Sequence, residues 1–333
     1  MRKERCDMKI VFYGTKPYDK LYFEPMAKDY GCKIRFVETP CNEYTVSLAK
    51  GADAICIFVN DYITAPMIDE LHDMGVKAIL LRCAGFNNVD LKAARDKLEV
   101  LRVPSYSPEA VAEYAMTLLM TVNRRTHRAY ARTRDFNMTI NGLMGQDMHG
   151  KTAGVVGTGK IGQAMIRILK GFGMEVIAYD VYPNPNLDVT YVSMEELFSR
   201  ADVISLHCPL TKETKHMINR KTIAMMKENS FLINTSRGDL INTDDLIEAL
   251  LQKKFAGVGL DVYEEEEGMF YEDHSGDIIR DENLVRLSTF PNVLITSHMG
   301  FFTQEAMKAI ATTTLENARA LENGEELKNR VEA

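Results

Sequence analysis

Three glycines, Gly157, Gly159 and Gly162, follow the apolar run Ala153-Gly154-Val155-Val156 and open a helical pattern. In that setting the first glycine permits a tight turn. The second lets the backbone approach a pyrophosphate, and the third lets helix and strand pack closely. With Thr158, Lys160 and Ile161 between them, they present the N–H groups and positive dipole end of a helix N-terminus to phosphates. Such a glycine pattern alone is weak, because glycine turns are common. Here it has a partner: Val176-Ile177-Ala178-Tyr179-Asp180 is a second strand ending in a carboxylate, 18 residues after Gly162. An acid at that spacing accepts from both hydroxyls of an adenine ribose and repels a 2′-phosphate. The pattern predicts NAD rather than NADP. The competing reading is a related domain that holds a nucleoside such as S-adenosylmethionine.

A nicotinamide enzyme that reduces a 2-oxo acid needs a cation for the carboxylate and a general acid for the carbonyl oxygen, both at strand ends facing a crevice. Phe231-Leu232-Ile233-Asn234 runs into Thr235-Ser236-Arg237-Gly238-Asp239, so Arg237 emerges at a strand end. A guanidinium binds a carboxylate bidentately and stays charged. A structural pairing of Arg237 with Asp239 is an equal alternative from pattern alone. Gly259-Leu260-Asp261-Val262-Tyr263 runs into Glu264, Glu265, Glu266 and Glu267, and Val293-Leu294-Ile295-Thr296-Ser297 ends in His298. A histidine–glutamate pair makes a proton donor, since a neighbouring carboxylate favours imidazolium. Which glutamate, and which of His207, His274 and His298, chemistry alone leaves open.

The elements that must position these groups alternate. Strand-like runs at 8–13, 33–37, 54–59 and 77–82 are separated by helical patterns such as 65–74. A second series has strands at 153–156, 175–179, 203–207, 231–234, 257–260 and 293–296. This rhythm predicts an α/β chain of two doubly wound parallel-sheet domains. One long helix is expected over 108–134 and a last helix over 303–323, with an irregular acidic loop at 263–291.

The chain has 333 residues, enough for two domains, and a formal net charge of -7, which disfavours nucleic acid and anionic membrane as partners. No run approaches the length of a membrane span, and the basic start at Met1–Arg5 leads into an apolar run too short for an export signal. The six cysteines (Cys6, Cys32, Cys41, Cys56, Cys83, Cys208) form no C-x-x-C pair and read as reduced fillers in a cytoplasmic protein. No metal site is expected. About 150 residues precede the fingerprint, unlike L-lactate and malate dehydrogenases, whose nucleotide-binding strand opens the chain.

Four blocks in this order resemble the D-isomer-specific 2-hydroxyacid dehydrogenase family across essentially the whole chain. They are the fingerprint with Asp180; Leu206-His207-Cys208-Pro209-Leu210 through Thr214; Asn234-Thr235-Ser236-Arg237-Gly238; and Asp261 through Glu266 followed by His298. The resemblance implies Arg237 as substrate anchor, Glu266 as partner of the acid, and His298 as acid/base. Glu264, Glu265 and Glu267 then become solvated loop charges. Cys208, Pro209, Thr214, Thr235, Ser236 and Asp261 would line the nicotinamide half of the cofactor site. It further implies backbone contacts to the substrate carboxylate from Ala84 and Gly85, a reach to substrate from Tyr106, and apolar side-chain walls at Phe58 and Phe301. It assigns 1–103 with 300–333 to the substrate domain and 104–299 to the cofactor domain, with a cleft between the two, and implies a homodimer using the helix that begins at Pro108.

The 268–291 insert and the run His298-Met299-Gly300-Phe301-Phe302-Thr303 resemble the branch acting on D-lactate and D-2-hydroxyisocaproate. That implies NADH-dependent reduction of pyruvate or a slightly longer 2-oxo acid, without the C-terminal regulatory domain of many phosphoglycerate dehydrogenases. Two other readings compete: an NAD-sensing regulatory protein on the same scaffold, disfavoured by a complete proton-donor set, and an L-specific or phosphoglycerate-type enzyme.

Overall fold

Short aliphatic runs make the strands here because both faces of each central strand are covered. In the computed structural model, which describes residues 8–331, the chain divides into two compact units, 1–107 with 302–333, and 108–301. The first holds β1 (Lys9–Phe12), α1 (Pro17–Tyr30), β2 (Lys33–Phe36), β3 (Ala54–Ile57), α2 (Ala65–Asp73), β4 (Ala78–Leu81), α3 (Leu91–Ala94) and β5 (Glu99–Leu101). They form a parallel sheet in the order β2-β1-β3-β4-β5. Every residue of β3 and β4 is buried, as a sheet covered on two sides requires, whereas edge strand β2 alternates.

The second unit begins with α4 (Pro108–Arg124) and α5 (Thr126–Arg134). There follow β6 (Thr152–Val156), α6 (Lys160–Gly171), β7 (Glu175–Tyr179), β8 (Thr190–Tyr191), α7 (Met194–Arg200), β9 (Val203–Leu206), α8 (Arg220–Met225), β10 (Ser230–Asn234), α9 (Thr243–Leu251), β11 (Phe255–Leu260), α10 (Glu282–Thr289) and β12 (Val293–Ile295). The sheet order is β12-β11-β10-β9-β6-β7-β8, all parallel. Strand order reverses between β6 and β9, and ligands of such sheets bind at the carboxyl ends beside that switch point. The last helix, α11 (Gln304–Asn323), rejoins the first unit. Thr303 caps it, it packs against α1, and the Asn317 amide donates to the Arg102 carbonyl at 3.0 Å.

Three expectations are corrected. The single helix over 108–134 is two helices, broken at Arg125, whose φ is +50°. The apolar face that anchors α4 ends at Val122, and α5 buries none of its residues, so nothing holds the two in line. The acidic loop at 263–291 contains α10, started by Asp281, whose carboxylate accepts the Leu284 N–H at 2.9 Å. The second sheet has a seventh strand, β8, too short to show a period.

Among the described residues no helix is long and apolar enough to cross a membrane. The five described cysteines are free; Cys208 is half-buried and the others buried. Burial pushes the Cys208 thiol up to about 11 and Cys56 up to about 12, so both are poor nucleophiles near neutrality. Cys6 lies outside the described residues.

Candidate active site

The β6–β7 register pairs Val156 with Tyr179, which brings the fingerprint loop beside Asp180. Gly157 has φ +92°, and a Cβ there would lie 2.7 Å from the carbonyl of His207 and 2.8 Å from the Cys208 nitrogen. Only glycine lets the ends of β6 and β9 come this close. Gly162 sits in the first turn of α6, where a Cβ would overlap the Gly157 carbonyl. Gly159 is the N-cap of α6, and a Cβ there would meet nothing within 4 Å. Lys160 and Ile161 start the helix. The result is an open helix N-terminus behind a tight turn, a cradle of the right form for a pyrophosphate.

Asp180 accepts the Thr158 N–H at 2.6 Å, the Thr158 hydroxyl at 2.9 Å and the Tyr182 N–H at 2.9 Å. Partial burial opposes its charge, but these donors outweigh that and hold its carboxyl below the usual carboxylate range. It is therefore a fixed anion where the ribose hydroxyls of a dinucleotide would lie.

Across the switch point the second wall comes from β9 and β10. Cys208 turns its Sγ toward the Met217 sulfur at 3.6 Å. The Thr214 hydroxyl donates to the Pro209 carbonyl at 2.7 Å and closes the loop they share. After β10, the Asn234 amide donates to the Arg237 carbonyl at 2.8 Å while its oxygen accepts the Ser236 N–H at 3.0 Å. The Ser236 hydroxyl bonds the Leu206 carbonyl at 2.8 Å. Thr235 is 8% exposed, and its hydroxyl is buried without a partner. A buried hydroxyl left unpaired costs free energy, so this one is set to meet a polar group of a ligand. The cradle, the fixed carboxylate and this hydroxyl together fit a dinucleotide.

His298 ends the run after β12 with φ +53°, a left-handed conformation rare for a non-glycine residue. It is tied at three points. Its N–H donates to the Asp261 carbonyl at 2.7 Å, its carbonyl accepts the Tyr271 hydroxyl at 2.8 Å, and its Nδ1 lies 2.8 Å from Glu266 Oε1. Glu266 Oε2 accepts the Tyr263 N–H at 3.0 Å. Buried Asp261 takes the Thr296 hydroxyl at 2.6 Å and the N–H groups of Met299 and Gly300 at 2.9 and 2.7 Å. Burial pushes its carboxyl up, against those donors. Asp261 thus shapes the backbone that presents the histidine.

Arg237 is half-buried, with Nη1 on the Ser236 carbonyl at 2.6 Å. The alternative partner, Asp239, is held by Lys215 at 2.8 Å. A Cβ on Gly238 would overlap the Tyr263 carbonyl, so the arginine loop lies flat on the turn that carries Glu266. The rival histidines are otherwise engaged. The His207 ring lies 2.8 Å from the Ser205 hydroxyl and is pushed down to about 4 by burial, hence neutral; His274 pairs with Asp277 at 3.0 Å, which raises it. Glu265 and Glu267 are exposed, but Glu264 is not the solvated charge expected: it is half-buried and hydrogen-bonded to His216 at 2.6 Å. Two glutamates so close in one acidic run give no sequence signal of that difference. Tyr271, which follows Phe270 in the acidic loop, carries no sequence signal of its bond to His298.

In the first unit, Ala84 and Gly85 follow β4, and their carbonyls accept from Arg102 Nη1 at 2.9 Å and the Cys83 thiol at 3.3 Å. Phe58 is clamped: its N–H donates to Asp61 at 2.7 Å, its carbonyl accepts from the Asn88 amide at 2.9 Å, and the Arg82 guanidinium lies 5.0 Å from its ring centre. Arg82 is buried with Asp19, 3.8 Å away. Tyr106 lies half-buried near the end of this unit's first segment, and half-buried Phe301 is the last residue of the second unit.

A switch-point cradle for a dinucleotide, joined to an arginine and a histidine–glutamate pair at neighbouring strand ends, defines a nicotinamide-dependent oxidoreductase. The chain belongs to the D-isomer specific 2-hydroxyacid dehydrogenases: residues 116–300 match the family description "D-isomer specific 2-hydroxyacid dehydrogenase, NAD binding domain". It is an NAD-dependent enzyme acting on CH–OH groups. It is 51% identical over 328 residues to the D-lactate dehydrogenase of Escherichia coli strain K12, covering 97% of this chain and 100% of that one. Among solved structures it resembles the pyruvate reductase of Chlamydomonas reinhardtii, with TM-score 0.94, 42% identity and coverage of 98% and 100%. It also resembles a D-2-hydroxyisocaproate dehydrogenase, with TM-score 0.88, 33% identity and coverage of 98% and 100%.

Proposed function

We propose that this chain is a D-lactate dehydrogenase that reduces pyruvate to D-lactate with NADH. The observation that carries the chemistry is the His298–Glu266 pair at 2.8 Å, on a turn that the Arg237 loop presses against. The fingerprint residues and Asp180 would hold NADH, which when bound would provide the hydride for the carbonyl carbon. Arg237 binds the substrate carboxylate and orients the keto group. Glu266 occupies Nδ1 of His298, which leaves Nε2 to deliver a proton to the carbonyl oxygen as it becomes an alkoxide. Phe301, three residues after His298, is apolar, and an apolar wall suits a methyl group better than a second carboxylate. Thr235, Ser236, Cys208, Pro209, Thr214 and Asp261 line the nicotinamide half, and the fingerprint residues with Asp180 hold the rest.

D-2-hydroxyisocaproate chemistry is the neighbouring reading, supported by the 33% identical relative of that name. One methylene changes binding by only about 1–3 kcal/mol, so apolar walls alone separate the two weakly. We further propose a cytoplasmic homodimer, in keeping with the free cysteines and with the exposed apolar side chains that follow α5. NADH oxidation against a panel of 2-oxo acids, followed by chiral analysis of the product, tests the assignment. Pyruvate giving the D-isomer with the highest kcat/KM is expected. A larger value for a branched six-carbon acid would move the assignment to the neighbouring reading, and an L-product would overturn it.

A further inference from the structure

We propose that His216 is a positioning residue for this reaction: its pairing with Glu264 fixes which glutamate of the 264–267 run faces His298. The inference rests on the reading of Arg237, Glu266 and His298 given above. Glu264 and Glu266 stand two residues apart on one turn, and each has a histidine, His216 at 2.6 Å and His298 at 2.8 Å. A shift of two residues along the run would exchange them. Glu264 is committed at both oxygens, since Oε2 accepts the Thr243 N–H at 3.1 Å while Oε1 meets His216 Nε2. Glu266 is then the one left to accept the Tyr263 N–H and hold His298.

The same histidine also joins the arginine loop. Its backbone N–H donates to the Asp239 carbonyl at 2.7 Å, and Ile218 and Ile241 continue the contact as a parallel bridge. Lys215 Nζ lies 2.8 Å from the Asp239 carboxylate. His216 therefore touches both strand-end segments that carry the chemistry, 237–240 through its backbone and 263–266 through its ring. Its φ of +51° turns the ring toward Glu264, and the Asn219 amide, donating to its carbonyl at 2.8 Å, holds that turn. A donor atom of each of His216, Asp239 and Glu264 lies within 4.8 Å of the other two. The His216 ring and the Lys215 ammonium already engage the two carboxylates, so the cluster acts as a lock between loops. The Thr214 hydroxyl is held separately, by Pro209 and Thr211, so the lock bears on substrate and proton transfer more than on NADH.

The test compares His216→Ala, His216→Gln and, as a control on an exposed charge of the same run, Glu265→Gln. For each, kcat and KM with pyruvate, NADH affinity by fluorescence and the thermal midpoint are measured. His216→Ala is expected to lose about 10- to 100-fold in kcat/KM, divided between a lower kcat and a higher KM for pyruvate. Its NADH affinity stays within about threefold. His216→Gln, whose amide can still donate to Glu264, recovers most of the loss, and Glu265→Gln matches the parent. A His216→Ala enzyme with parental kcat and KM overturns the proposal. So does one whose loss disappears when activity is normalised to folded protein, or whose NADH affinity falls by the same factor as kcat/KM. If His216→Ala does not fold, His216→Asn, too short to reach Glu264, must show the same split. A parent enzyme inactive on every 2-oxo acid would instead sink the underlying reading and this inference with it.

Discussion

His298 holds a left-handed conformation that costs about 1–3 kcal/mol for a non-glycine residue. That cost is tolerated because the Asp261 carbonyl, the Tyr271 hydroxyl and Glu266 over-determine the residue. Asp180 is fixed in a similar way, by Thr158 and Tyr182. Its negative charge is what should discriminate NADH from NADPH, since a 2′-phosphate beside it is repelled by several kcal/mol in a half-buried site. Asp180→Asn keeps an acceptor for Thr158 and removes the charge. The ratio of kcat/KM for NADH over NADPH should fall at least about tenfold, read from steady-state rates with each cofactor; an unchanged ratio would mean that something other than this carboxylate sets the preference.

Arg237, Asp180 and the glycines could be picked out from sequence because each sits at the end of an apolar run whose direction fixes where it emerges. The glutamates could not be told apart. Glu264 to Glu267 are chemically identical, and the backbone bonds of Tyr263 and Thr243 that sort them join positions far apart in pattern, or carry no pattern at all.

Among the elements, the central strands declared themselves because burial on both faces demands unbroken aliphatic runs, as in β3, β4, β9 and β10. β8, with two residues, and α3, with four, are shorter than any period that could reveal them. The break at Arg125 was hidden by composition, because arginine-rich sequence favours helix on both sides of it. That break starts a segment with no core of its own. Phe136 is 87% exposed, Ile140 83% and Met144 88%, with Tyr130 and Met138 also exposed. Apolar groups clustered on a surface favour association, and the proposed occupant is a second copy of this chain. Sedimentation equilibrium should give twice the chain mass at micromolar concentration, and Phe136→Glu with Met144→Glu should shift the protein toward monomer. A parent protein that sediments as a monomer would contradict this.

For the molecule as a whole, two parallel sheets were legible from the βαβ rhythm, and the seven-stranded order from β12 to β8 places its reversal where the glycine loop lies. The chain leaves the first unit before α4 and returns to it with α11, so the residues of the second sheet form one uninterrupted segment, 108–301. Within that segment the fingerprint, Arg237, Glu266 and His298 come from four separate strand ends, and the proposed reaction requires them to act on one substrate. Its most direct test is a pair of measurements on His298→Ala: steady-state NADH oxidation with pyruvate, and NADH binding by fluorescence titration. The account predicts that kcat falls by about 10²–10⁴ while NADH still binds as it does to the parent enzyme. A variant that turns over pyruvate at the parental rate would contradict it.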